Sequence, residues 1–155
     1  MPIHPLIVHF PIALLLTSAV FAVLSIIVPS KKEIFKDVSF WNLLVGTIAA
    51  LLAVLSGLAQ EDTLVQNHEI HEIMELHEKL GFVCLSLFTI MVIWNIIRKR
   101  NMNNSEWKLY TLVLVLSCTL LGYSGTLGGK MVFEEGAGVK PMEKIIEQEG
   151  FEHDH

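Results

Sequence analysis

Histidine and glutamate are the residues of this chain best placed to do chemistry. Its seven histidines are His4, His9, His68, His71, His77, His153 and His155. A neutral imidazole ligates transition metals and haem iron, and it changes charge near pH 6.5. The middle histidines lie in a strongly acidic stretch: residues 60–78 hold Glu61, Asp62, Glu69, Glu72, Glu75 and Glu78 and contain no Lys or Arg. His68 with Glu72, and His71 with Glu75, have the i,i+4 spacing of helix-surface neighbours.

A helical wheel separates these histidines. His77 falls within about 60° of Ile70, Ile73, Leu80, Cys84 and Phe88, an apolar stripe. His71 falls with Glu75 and Glu78, and His68 with Glu72, which is the pattern of a solvated acidic face. His9 stands inside an apolar run, where a polar side chain is costly unless it faces the interior and finds a partner. Two interior imidazoles on different helices, near one membrane face, can hold a b-type haem or a metal ion. Glu61 can orient such a histidine or bind metal itself. The plainer alternative is a polar staple in which His9 or His77 meets Glu61 and locks three helices together. His153-Asp-His155 reads as a loose tail able to capture metal weakly.

Four apolar runs must position these residues: Pro5 to Pro29, Val38 to Ala59, Leu80 to Ile97 and Leu109 to Leu127. Each is close to the roughly 20 residues that cross a bilayer core. With no water to satisfy backbone groups there, such runs must be helical. Composition agrees, with 52% hydrophobic and 17% charged residues over 155 positions and a mean hydropathy of +0.54. A soluble domain carries about 25% charge. The expectation is an all-α, four-helix transmembrane bundle over residues 1–140, with an acidic C-terminal tail over 141–155. The opening run lacks a basic leader and a cleavage site, so it is expected to remain as a span. Pro5 suits a first helical turn, whereas Pro11 removes a bond to the Ile7 carbonyl and should kink the first span. The acidic segment from His68 is rich in helix formers and runs into Leu80 without a breaker, so the third helix should begin before the membrane. Cys84 and Cys118 fall inside spans and are expected to pack as small apolar residues.

Loop charge gives the orientation. Lys31, Lys32 and Lys36 lie in the first connection, and Arg98, Lys99, Arg100 and Lys108 in the third. The positive-inside rule places loops 29–37 and 98–108 in the cytoplasm of a bacterial inner membrane, and both termini and loop 60–78 outside. All seven histidines then share the outer side.

Several functions lose support. A formal charge of −5 provides no basic field for nucleic acid. There is no phosphate loop and no Gly-x-Ser-x-Gly elbow, and His68-Glu and His71-Glu lack the second histidine of a zinc-protease helix. No stand-alone catalytic activity is expected.

Three stretches carry a family resemblance: His4-Pro-Leu-Ile-Val-His-Phe-Pro-Ile-Ala13, Ser56-Gly-Leu-Ala-Gln-Glu61 with His77-Glu78, and Gly128-Gly-Lys-Met-Val-Phe-Glu-Glu-Gly-Ala-Gly-Val139. Across residues 4–139 the chain resembles the bacterial "predicted membrane protein" family, domain-of-unknown-function family 2231. The resemblance implies a four-span membrane domain. Some members are joined to cytochrome c-like or Rieske-type domains, which implies electron transfer and singles out His4, His9, Glu61, His77 and Glu78. No fused redox domain and no C-x-x-C-H motif stand in this sequence, which favours a subunit role.

The reading is therefore a membrane protein that holds haem b or a metal ion at its outer face. His9 and His77 are the expected ligands, with Glu61 and His4 in support, and electrons would pass between the membrane pool and an outer-face partner. One alternative is a non-redox subunit or docking factor whose polar cluster is structural and meets a periplasmic protein. Another is a divalent-metal handling protein using Glu61, His71, Glu75, Glu78 and the histidine tail, a carboxylate-rich set suited to a harder or borderline ion.

Overall fold

A computed structural model describes residues 4–61, 68–98 and 100–136, with the side chains of residues 5, 6, 60, 61, 68 and 69 left outside that description. Four helices make up the fold: α1 (His4–Ile27), α2 (Lys32–Glu61), α3 (His68–Ile97) and α4 (Asn104–Phe133). All four are long and apolar enough to cross a membrane, and no strand occurs among the described residues. The loop 62–67, the tail 141–155 with His153 and His155, and the end of the Gly128–Val139 motif lie outside the described residues.

Local sequence explains the boundaries. Pro29 ends α1 by forcing the residue before it out of helical conformation, with Val28 at φ −116° and ψ 80°. A short 3-10 turn over Pro29–Lys31 then leads into α2. At the other connection Asn103 caps α4, its side chain accepting from the Glu106 N–H at 2.9 Å. Helices α2 to α4 run past the apolar spans because their polar flanks, such as His68–Glu78, are themselves good helix formers. Pro11 lies inside α1 without ending it.

The helices form a ring in chain order. Each packs on its two sequence neighbours, α1 closing onto α4, and the diagonal pairs α1/α3 and α2/α4 make no backbone approach among the described residues. The α1/α2 contact is the most extensive, and small residues permit it: Ser18 donates to the Ser39 carbonyl at 2.8 Å, and Gly46 sits where a Cβ would come within 3.0 Å of Leu15. Leu15, Leu43, Phe88, Tyr110 and Leu114 fill the interior. Large apolar side chains such as Phe10, Val20, Ile48, Ile90 and Leu116 point outward. Lipid is the solvent that suits such a surface.

The up-down arrangement sorts the polar residues to two ends. The start of α1, the end of α2, the start of α3 and the end of α4 gather at one end. Lys32, Lys36, Arg98, Arg100 and Lys108 gather at the other.

Candidate functional site

At the first of these ends two imidazoles meet across the bundle. His4, the first residue of α1, and His77, three turns into α3, lie on diagonally opposed helices. Their ring centroids are 6.4 Å apart and their planes 81° from parallel.

Each ring is fixed by the helix that follows it in sequence. His4 Nδ1 lies 2.9 Å from the Ala53 carbonyl and 3.0 Å from Ser56 Oγ. His77 Nδ1 lies 2.9 Å from the Ser124 carbonyl, with Ser124 Oγ at 3.3 Å. A carbonyl oxygen can only accept, so each Nδ1 carries the proton and donates it. A neutral ring then keeps its lone pair on Nε2.

A glycine makes each of these bonds possible. In a helix the side chain at i+4 leans back toward the carbonyl of residue i. Gly57 stands four residues after Ala53 and Gly128 four after Ser124, so both carbonyls are left uncovered on the histidine side. A Cβ on Gly57 would come within 3.1 Å of His4 Cε1, and one on Gly128 within 3.4 Å of His77 Cε1. Each ring therefore packs directly against a glycine, tightly at Gly57 and at ordinary contact distance at Gly128.

The two halves repeat one another. The histidine and its carbonyl are 49 residues apart in the α1/α2 hairpin and 47 in the α3/α4 hairpin. In both, an acceptor and a glycine four residues on receive an imidazole from the preceding helix. The site is built twice, once from each hairpin, and completed where the halves face.

Burial favours the neutral ring at His4. The His4 pKa is held below 6.5, first by burial and then by the neighbouring His77, with the Ala53 carbonyl bond opposing the shift.

The other expected residues lie elsewhere. His9 was expected opposite His77, but it is exposed; five residues after His4, it points about 140° away around α1. His71 and Glu75 are exposed on the acidic face of α3, and Glu75 pairs with Lys79 at 2.6 Å. Glu78 is half-buried, one position past His77. Glu61 closes α2 one turn beyond Gly57, and its side chain lies outside the described residues. No group of three His, Cys, Asp or Glu side chains suited to a metal ion occurs among the described residues. Sequence reasoning missed Ala53, Ser56, Gly57, Ser124 and Gly128 as supports, although the paired patterns Ala53-x-x-x-Gly57 and Ser124-x-x-x-Gly128 carry the signal.

No curated protein and no solved structure matches the chain. The family model described as "Predicted membrane protein (DUF2231)" matches residues 1–141. With nearly the whole chain covered, this protein belongs to the DUF2231 family of predicted membrane proteins.

Proposed function

We propose that His4 and His77 would together hold a single b-type haem, and that the protein is an electron-transfer subunit of the membrane. The observation that carries this reading is the matched pair of imidazoles on diagonal helices, each donating Nδ1–H to a backbone carbonyl. Ligand histidines characteristically donate their other ring N–H in this way, which fixes the tautomer and aims Nε2.

Spacing supports the assignment. A single group held by two imidazoles requires the rings to lie close to one another on different helices. The rings here are at 6.4 Å. Two histidines on different helices suit a haem, whose iron takes only one or two protein ligands. Haem supplies one-electron redox chemistry when bound. His4 and His77 would hold the group through Nε2, with the Ala53 and Ser124 carbonyls fixing the orientation of the rings.

The loop charges support an outer-face location for this end, because Lys32, Lys36, Arg98, Arg100 and Lys108 mark the other end as cytoplasmic. Reporter fusions after Arg100 should read cytoplasmic; an external signal there would reverse the proposed sidedness. The cofactor itself is tested by visible absorption and iron analysis of the full chain purified in a non-ionic detergent. Stoichiometric iron with a low-spin b-type spectrum is expected. Folded protein that never carries haem would leave the histidine pair as a structural staple.

A further inference from the structure

The opposite end of the bundle holds a feature that the histidine site does not explain. A cavity of about 210 Å³ lies between the α1/α2 connection and the start of α4, lined by Ser25, Ile26, Pro29, Lys32, Asn104, Trp107 and Lys108. Two of these side chains are cations, and no carboxylate lines the cavity.

Three other cations at this end are matched to acids: Lys36 to Glu33, Arg98 to Glu106 and Arg100 to Asp37. Lys32 instead donates to the neutral Asn104 Oδ1, and neither Lys32 nor Lys108 has a carboxylate partner among the described residues. Two uncompensated ammonium groups at one concavity repel each other, and they cost least when an anion lies between them. The walls restrict what that anion is. Trp107 is 4% exposed, and its Nε1–H is already donated to Ser25 Oγ at 2.7 Å. Ile26, at 36% exposure, and Ile27, at 66%, continue from the cavity onto the outer apolar face of α1. A ligand with a phosphate head and a long apolar tail matches both surfaces at once.

We propose that this cavity is a binding site for the phosphate headgroup of an anionic glycerophospholipid. Lys32 and Lys108 neutralise the phosphodiester, Asn104 hydrogen-bonds the headgroup, and the acyl chains lie along the exposed isoleucines of α1. Basic pockets between membrane helices recognise lipid headgroups by this chemistry. The site is independent of the histidine pair.

The test is native mass spectrometry of the full chain in non-ionic detergent, titrated with phosphatidylglycerol or phosphatidylcholine. Wild-type protein should retain phosphatidylglycerol selectively. K32A/K108A should bind it about 30-fold more weakly, at about fivefold for each lysine, while K32R/K108R and the distant K130A should bind as wild type. Added inorganic phosphate should not displace the lipid. Equal retention of both lipids by the wild-type protein overturns the proposal whether or not the alanine variant folds. An equal loss in K130A overturns it too. Full displacement by millimolar phosphate would make this a site for the free anion and overturn the lipid assignment.

Discussion

The two ends of the bundle solve the same problem, polar groups at a membrane boundary, in different ways. At the basic end most of the charged side chains pair with one another, Lys32 and Lys108 apart. Arg98 pairs with Glu106 at 2.7 Å, Trp94 donates to the same carboxylate, Arg100 pairs with Asp37, and Lys36 and Arg100 lie over the rings of Trp107 and Phe40. At the histidine end the backbone does the holding. Two carbonyls take the Nδ1 protons, and two glycines lie against the rings. Mutual satisfaction makes a clamp. Orientation by backbone fixes the tautomer of each ring at Nδ1.

The largest effects should come from side chains added at these two glycines. Gly57→Leu should abolish haem binding, because even the first carbon of the new side chain meets His4 at 3.1 Å. Gly57→Ala should weaken binding by up to roughly tenfold, the cost of pushing one ring off its rotamer. Gly128→Ala, with 3.4 Å to His77, should do less. Gly125→Ala should change nothing, since a Cβ there meets nothing within 4 Å. Haem titrations of the four variants check this order. An equal loss at Gly125 would mean that general helix packing, rather than the ring–glycine contacts, holds the site.

A smaller effect separates the ends by pH. The folded-state pKa of His4 lies below its ordinary 6.5, chiefly through burial. Below pH 6.5 the unfolded chain takes up a proton that folded His4 resists. Stability should therefore fall as pH drops from 6.5 through the folded value, and His4 should add no pH dependence above 6.5. Thermal melts of the haem-free chain between pH 7.5 and 5 should show this loss, and His4→Gln should reduce it. An unchanged slope in His4→Gln would place the titration at another group.

The smallest effects belong to the basic end. Asp37→Asn should cost at most about 1 kcal/mol, and added salt should shrink the difference, because the Arg100–Asp37 pair is exposed. Asn103→Ala should cost about 1 kcal/mol through loss of the α4 cap. Chemical denaturation in detergent measures both, and neither should alter haem binding. A loss well above 1 kcal/mol from Asp37→Asn would show that this end is more than a peripheral clamp.

Much of the architecture was legible because bilayer thickness is a hard constraint. Four apolar runs of span length admit four helices, and polar flanks such as His68–Glu78 simply lengthen them. The wheel on α3 placed His77 on the stripe of Ile70, Cys84 and Phe88, and those three are buried. The structure places His4 rather than His9 beside His77, for a physical reason. Depth in the apolar run favoured His9, but direction around the helix decides which residue faces inward, and on α1 an almost uniformly apolar sequence gives the wheel no polar side to read. The supports were hidden because a sequence displays side chains and leaves backbone acceptors implicit. The Ala53 and Ser124 carbonyls became visible only through the glycines four residues beyond them.

The most direct test of the central claim, that His4 and His77 form one centre, is a double-mutant cycle scored by haem titration of the full chain, with His9→Ala beside it. Each of His4→Ala and His77→Ala should lose the low-spin spectrum and most of the affinity. The double variant should be scarcely worse than either single one, because ligands of a single centre are strongly non-additive. His9→Ala should bind as wild type. Additive losses at His4 and His77, or a loss confined to His9→Ala, would contradict the account.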